Sequence, residues 1–306
     1  MLFILGIERS ATTWVANLME AHPATRVYVE PMSIYTARFK KWPDRFEEII
    51  DSDEKARYFK SEFHILKQHK EWLFTKWFQS PIAWQFDLWL SNLLVRKKIA
   101  TAAARDFSEI NFHRKAQPSV KKADEIELEI IKELRLNFNA HIIADIDEKA
   151  RVLVVVRNLF ANIQSILKHI SQDSLIELKS LLLKYYGDIN EVTVYKYWRD
   201  SYNQLLKKLD QSGIKYLILQ HTELIKNPEQ QVQKLCDIAG LSDSAPILNY
   251  LTESNKKGAG IHNTNRDHAA LLKRNKYAKE EVWPKIQTLY EYTDLHPKLQ
   301  QIIADQ

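Results

Sequence analysis

Residues 1–23 read MLFILGIERSATTWVANLMEAHP. The apolar run Leu2 to Leu5 stops at Gly6, and Arg9, Ser10, Ala11, Thr12 and Thr13 follow it. Trp14, Leu18 and Ala21 then share one face at helical spacing. His22-Pro23 closes that helix, because proline lacks the N–H and clashes with the preceding turn. The unit is strand, loop, helix. Such a loop presents backbone N–H groups, hydroxyls and a guanidinium at the positive end of a helix dipole, an arrangement suited to phosphate. It differs from the nucleoside-triphosphate loop G-x-x-x-x-G-K-[ST], whose lysine directly precedes the hydroxyl residue. Here Ala11-Thr12-Thr13 stands at that distance from Gly6, and the cation has moved forward to Arg9.

Outward from this stretch, Arg26 to Glu30 (RVYVE) alternates and is closed by Pro31, which reads as a second strand with Glu30 at its C-terminal end. In open α/β sheets that edge is where ligands bind. Leu128 to Lys132 (LEIIK) reads as a third strand leading through Arg135 into a short helix. Arg151 to Val156 (RVLVVV) is a continuous β-branched run, as expected of a parallel strand covered on both faces, and it ends in Arg157 with Ser165 eight residues later. Val194, Trp198, Tyr202, Leu205 and Leu209 mark a long amphipathic helix broken at Gly213, and Lys215 to Leu219 (KYLIL) supplies another strand. Asn227-Pro228-Glu229 reads as a capped helix start, Gly240-Leu241 as its stop, and a last helix is expected around Glu280 to Tyr292. The basic stretch Lys256 to Arg274, with Gly258 and Gly260, reads as a loop near the site.

Between about residues 38 and 122 no strand is evident, and five of the eight tryptophans fall there: Trp42, Trp72, Trp77, Trp84 and Trp89. This predicts a large helical insertion that shapes the acceptor pocket, although an aromatic stripe at helical spacing is more often core. Arg96-Lys97-Lys98 reads as a solvated face. The fold expected is α/β, a P-loop-type central parallel sheet flanked by helices, with all 306 residues in one domain.

Hydrophobic residues are 45% and charged residues 27%, the composition of an ordinary globular chain. The net charge of +5, from 44 basic and 39 acidic residues, suits an anionic small ligand rather than a nucleic-acid groove. The single cysteine, Cys236, has no partner for an internal disulfide and reads as a core thiol. With a strand starting at Leu2 and no later run of transmembrane length, a cytoplasmic protein without a membrane partner is expected.

The loop around Arg9-Ser10-Ala11-Thr12-Thr13 resembles the 5′-phosphosulfate loop of the sulfotransferases, with Ala11 where the family usually has glycine. Alanine permits close approach but asks for a backbone that does not need positive φ. ARVLVVVRNLFANIQS, residues 150–165, resembles the family's 3′-phosphate motif, in which an arginine and a serine eight residues later clamp the phosphate. Glu30-Pro31, Lys132, Arg135 and HTELIKNPEQQVQKLCDIAGL from His221 look like the carbohydrate-type branch. The phenol and steroid branch keeps a histidine after the third strand, where this chain has Glu133 and Leu134.

The resemblance implies a sulfotransferase that moves a sulfuryl group from 3′-phosphoadenosine 5′-phosphosulfate (PAPS) to a hydroxyl or amine of a carbohydrate or small natural product. Adenosine 3′,5′-bisphosphate (PAP) is then the product, and no metal is required. Arg9, Ser10, Ala11, Thr12, Thr13 and Trp14 would hold the 5′-phosphosulfate end, and Arg157 and Ser165 the 3′-phosphate. Glu30 is the expected base with Glu133 its rival, and Arg9 and Lys132 complete the catalytic set. A P-loop small-molecule kinase and a non-catalytic nucleotide-binding protein are the alternatives. A kinase would place an aspartate near such a strand end to hold magnesium, where this chain has Arg157.

Overall fold

Short, apolar strands alternate with amphipathic helices, so each strand is carried back across one sheet to run parallel to its neighbours. In the computed structural model, which describes residues 1–30, 52–72, 125–255, 268–291 and 294–304, the strands are β1 (Leu2–Leu5), β2 (Thr25–Val29), β3 (Leu128–Lys132), β4 (Arg151–Val156) and β5 (Lys215–Gln220). They pair in the order β2-β3-β1-β4-β5, all parallel. The helices among the described residues are α1 (Thr12–Glu20), α2 (Ser52–Trp72), α3 (Ile142–Ile146), α4 (Leu159–Ser171), α5 (Ile176–Tyr186), α6 (Glu191–Ser212), α7 (His221–Lys226), α8 (Pro228–Ala239), α9 (Ala245–Asn255), α10 (His268–Glu291) and α11 (Pro297–Ala304).

Successive strand residues point to opposite faces, and both faces are covered. Phe3, Leu5, Ile131, Val152, Val154 and Val156 pack on one side beneath α2, α3, α4, α6 and α10. Leu2, Ile4, Ile130, Leu153 and Val155 pack on the other beneath α1, α8 and α9. This two-sided burial explains why β4 reads as an unbroken apolar run. The chain leaves β1 for β2, returns to β3 and then crosses to β4 on the far side of β1. The reversal puts the crevice at the C-terminal edge of the sheet beside β1, which is the general ligand position in such folds.

The fold expectation of a central parallel sheet flanked by helices is met. Three local readings change. Arg274 lies in α10, which begins at His268, twelve residues before the expected start, because the run from Ala269 to Trp283 has no glycine and is rich in helix formers. The helix α11 was not expected. Asn227 takes the N-cap position of α8 but makes no side-chain cap bond; its amide donates to Glu223 Oε2 at 2.8 Å, since it also ends α7. The insertion contains α2, but Trp42, Trp77, Trp84, Trp89 and Arg96 to Lys98 lie outside the described residues. Among the described residues no helix is long and apolar enough to cross a membrane. Cys236 is buried, as a core thiol should be, and burial raises its pKa to about 11.

Candidate active site

The loop after β1 is shaped by close approach. A Cβ on Gly6 would stand 2.8 Å from both the Val155 carbonyl oxygen and Ser10 Oγ, so only glycine lets β1 turn against β4 here. Beyond it Arg9 has φ 63° and Ala11 has φ 78°. The latter overturns the expectation that alanine spares the loop a positive φ, because the left-handed residue at the helix start is what turns the chain into α1. α1 has no side-chain cap and no acidic residue in its first turn. Its leading N–H groups are therefore presented to a ligand at the positive end of the dipole.

Left-handed alanine costs about 1–2 kcal/mol, of which glycine's greater unfolded freedom would return about 0.5–1. Ala11→Gly should accordingly stabilise the fold by roughly 0.5–1 kcal/mol, read as a higher denaturant midpoint. A lower midpoint would show that the Ala11 methyl contributes packing greater than the backbone strain.

Side chains from distant segments brace the loop from beneath. Asn137 Nδ2 donates to Gly6 O at 2.8 Å, and Asn162 Nδ2 donates to Glu8 O at 3.1 Å. The Tyr197 hydroxyl donates to Glu8 Oε2 at 2.5 Å. Ser10, fully buried, donates its hydroxyl to Ile7 O at 2.7 Å, so its side chain holds the turn. Thr12 is buried and Thr13 half-buried at the start of α1. Trp14 is packed in the core with its ring edge-on to His221 at 5.2 Å, away from an exposed stacking position.

Arg157 sits at the end of β4, immediately before α4. Its guanidinium donates to the Arg9 carbonyl at 3.0 Å. Arg9 Nε in turn donates to Ser165 Oγ at 3.3 Å. The two sequence motifs are thus joined in one cluster, although the chain separates Arg9 from Ser165 by 156 positions. Arg157 Nε is buried and makes no hydrogen bond among the described residues. Burial, then the charges of Arg274 and Arg9, pushes the Arg157 pKa down to about 9. A buried cation among like charges gains most from an anion. Asn158 caps α4 through Ala161 N–H at 3.0 Å, leaving the other first-turn donors of that helix beside the cluster. One turn beyond Ser165, His169 Nδ1 lies 2.7 Å from the Ser165 carbonyl. Burial holds His169 below its ordinary pKa, with Arg9, Lys168 and Arg157 adding to the effect against that hydrogen bond.

At the neighbouring strand ends, Glu30 adopts φ 47° and its N–H donates to Lys132 O at 2.6 Å. Its carboxylate forms an ion pair with the Lys132 ammonium, whose side chain is 1% exposed against 32% for Glu30. Glu30 therefore stands at the ligand edge with its carboxylate held by Lys132. Glu133, 1% exposed, instead accepts the N–H groups of Leu134 at 2.8 Å and Arg135 at 3.2 Å. Arg135 is engaged with Glu177.

Residues 2–245 match the family model described as the Sulfotransferase family, more than half of the chain. The chain belongs to the sulfotransferase family. Three solved structures are similar to it. The sulfotransferase domain from the Synechococcus PCC 7002 olefin synthase is 15% identical with a TM-score of 0.43, over 97% of this chain and 95% of that one. The sulfotransferase domain from the curacin biosynthetic pathway is 15% identical with a TM-score of 0.42, over 100% and 96%. The sulfotransferase from Alicyclobacillus acidocaldarius is 15% identical with a TM-score of 0.41, over 90% and 94%. At these scores the likeness adds nothing to the sheet order and the family match. No curated protein matches the chain.

Sequence reading singled out Arg9, Arg157, Ser165, Glu30 and Lys132 for this sulfotransferase site. It missed the braces Asn137, Asn162 and Tyr197, and the neighbour Arg274. One signal was available: Asn158, Asn162, Ser165 and His169 form a polar stripe at helical spacing on α4.

Proposed function

We propose that the protein transfers the sulfuryl group of PAPS to a hydroxyl, with an amine as the other nucleophile of that class, on a carbohydrate or small natural-product acceptor. The observation that carries this reading is the Arg157 guanidinium at the end of β4, buried at Nε without a partner among the described residues and joined through Arg9 to Ser165. The uncapped start of α1 fits an anion approaching the backbone. When bound, PAPS supplies an electrophilic sulfur with a phosphate leaving group.

In this mechanism Glu30 accepts the acceptor's proton as the nucleophile's lone pair forms the new bond to sulfur. The electron pair of the breaking bond goes to the 5′-phosphate oxygen, and Arg9 with the α1 N–H groups stabilises the charge that develops there. Lys132 fixes the Glu30 carboxylate, and Arg157 and Ser165 hold the 3′-phosphate so that donor and acceptor stay in line. The Glu30-Pro31 pair is the ground for assigning the chemistry to the carbohydrate-type branch. A cytoplasmic setting belongs to the same proposal, supported by the unpaired cysteine.

Calorimetric titration in the presence of a chelator tests the reading. Adenosine 3′,5′-bisphosphate should bind without magnesium and at least about tenfold tighter than adenosine 5′-monophosphate, the scale of one charge-assisted contact. Incubation with labelled PAPS and a panel of sugars and natural products should then move the label to an acceptor. Binding of ATP that depends on magnesium, with no preference for the bisphosphate, would replace this function with phosphoryl transfer.

A further inference from the structure

Ser10 N–H donates to Ile7 O at 3.3 Å, closing a four-residue turn with Glu8 and Arg9 at its centre. Arg9 has φ 63°, and Glu8 is not among the positive-φ residues. That is the pattern of a type II turn, whose third position favours glycine. An arginine there is strained, because its Cβ crowds the backbone in the left-handed region. The relaxed form for such a sequence is a type I turn, reached by rotating the Glu8-Arg9 peptide about half a turn while the chain path stays nearly the same. That rotation would carry the Glu8 carbonyl to the opposite side, put the Arg9 N–H in its place and swing the Arg9 side chain.

Two buried side chains oppose the rotation. Asn162 of α4 donates Nδ2–H to Glu8 O at 3.1 Å, so the rotated peptide would lose this bond. Tyr197 of α6 donates its hydroxyl to Glu8 Oε2 at 2.5 Å and fixes the side chain of the same residue. On the other side of Arg9, its carbonyl accepts from the Arg157 guanidinium at 3.0 Å. The backbone is thus gripped on both flanks of one exposed residue, whose guanidinium reaches Ser165 Oγ at 3.3 Å. The bland reading makes Asn162 and Tyr197 plain supports of the fold. Against it, a support that served stability alone has no need to hold an arginine in the form its own backbone disfavours, and strain of this kind collects where geometry is needed for function.

We propose that Asn162 and Tyr197 are positioning residues for the reaction: by pinning Glu8 they hold the strained turn and aim the Arg9 guanidinium at the charge that develops on the leaving 5′-phosphate. The proposal rests on the PAPS reading above. Neither residue touches the nucleotide in this assignment; both act through Arg9.

The test measures label transfer from PAPS to the best acceptor of the sugar and natural-product panel, calorimetric affinity for adenosine 3′,5′-bisphosphate and thermal midpoint, all on the full chain. Asn162→Asp keeps the side-chain shape but replaces the N–H donor with an acceptor, which favours the rotated peptide. Tyr197→Phe removes only the hydroxyl. Tyr186→Phe is the control, since that hydroxyl donates to Asp200 at 3.0 Å and not to the loop. Asn162→Asp and Tyr197→Phe should each lower turnover per folded molecule about tenfold, the upper scale of one lost hydrogen bond. Affinity for the bisphosphate should change by less than about threefold, because the contact at stake strengthens as charge develops. Tyr186→Phe should leave both unchanged. In an Arg9→Ala background the same two substitutions should alter turnover by less than about twofold, since the residue they aim is gone. A lower midpoint with unchanged turnover per folded molecule would overturn the proposal and leave both residues as supports. So would an undiminished tenfold loss in the Arg9→Ala background, or an equal loss of bisphosphate affinity. Each of these leaves the PAPS reading intact. A wild-type chain that binds no bisphosphate and moves no label would overturn that reading itself, and this one with it.

Discussion

Glu30→Gln should lower turnover by about two to four decades at saturating acceptor, with the affinity for adenosine 3′,5′-bisphosphate unchanged. The amide keeps an acceptor oxygen for the buried Lys132 ammonium, so the strand ends stay together, but it removes the group that takes the acceptor's proton. A stability contribution is expected too, because Lys132 loses its charge partner in a site where its side chain is 1% exposed. The two effects separate in a comparison of thermal midpoint with turnover per folded molecule. If Glu30 only neutralises Lys132, the midpoint falls and turnover per folded molecule holds. Glu133→Gln should show the reverse pattern, a lower midpoint with turnover nearly intact, since its carboxylate is committed to the N–H groups of Leu134 and Arg135. Normal turnover in Glu30→Gln together with loss in Glu133→Gln would move the base to the end of β3.

Arg157→Ala is expected to weaken PAPS by roughly one to two decades, the loss of a charge-assisted contact of about 1.5–3 kcal/mol. Adenosine 5′-phosphosulfate, which lacks the 3′-phosphate, should lose much less. The contrast follows from geometry: Arg157 donates to the Arg9 carbonyl through one nitrogen, while its buried Nε has no partner among the described residues. Because the same contact helps to hold the loop at Arg9, a small general loss is included in the expectation, and the ratio of the two affinities is the decisive measurement. Equal weakening of both ligands would assign Arg157 to loop support alone. Arg157→Lys should recover part of the PAPS affinity but not all, because an ammonium lacks the bidentate fork.

Sequence by itself determined the units of this fold. The apolar run of β1, the β-branched run of β4 and the proline after the first helix are local signals, set by which faces must be buried and which backbone groups exist. It also determined which chemical groups stand at strand ends, since Glu30, Lys132 and Arg157 each follow or close an apolar run that can be nothing but a strand. Only the tertiary structure decided how those groups meet. The strand order brings β3 and β4 to either side of β1. That order joins Glu30 to Lys132 across 102 positions and Arg9 to Ser165 across 156. Contacts at such separations carry no periodicity, and many pairings of the same strands would satisfy the same apolar pattern. The left-handed Ala11 was equally hidden: its side chain announces a helix former, and the positive φ arises where the chain turns from the loop into α1. Arg274 looked like part of a basic loop because local composition shows charge but not direction. Only the packing of α10 along α4 placed Arg274 in a helix, since the apolar faces of the two helices are buried against each other.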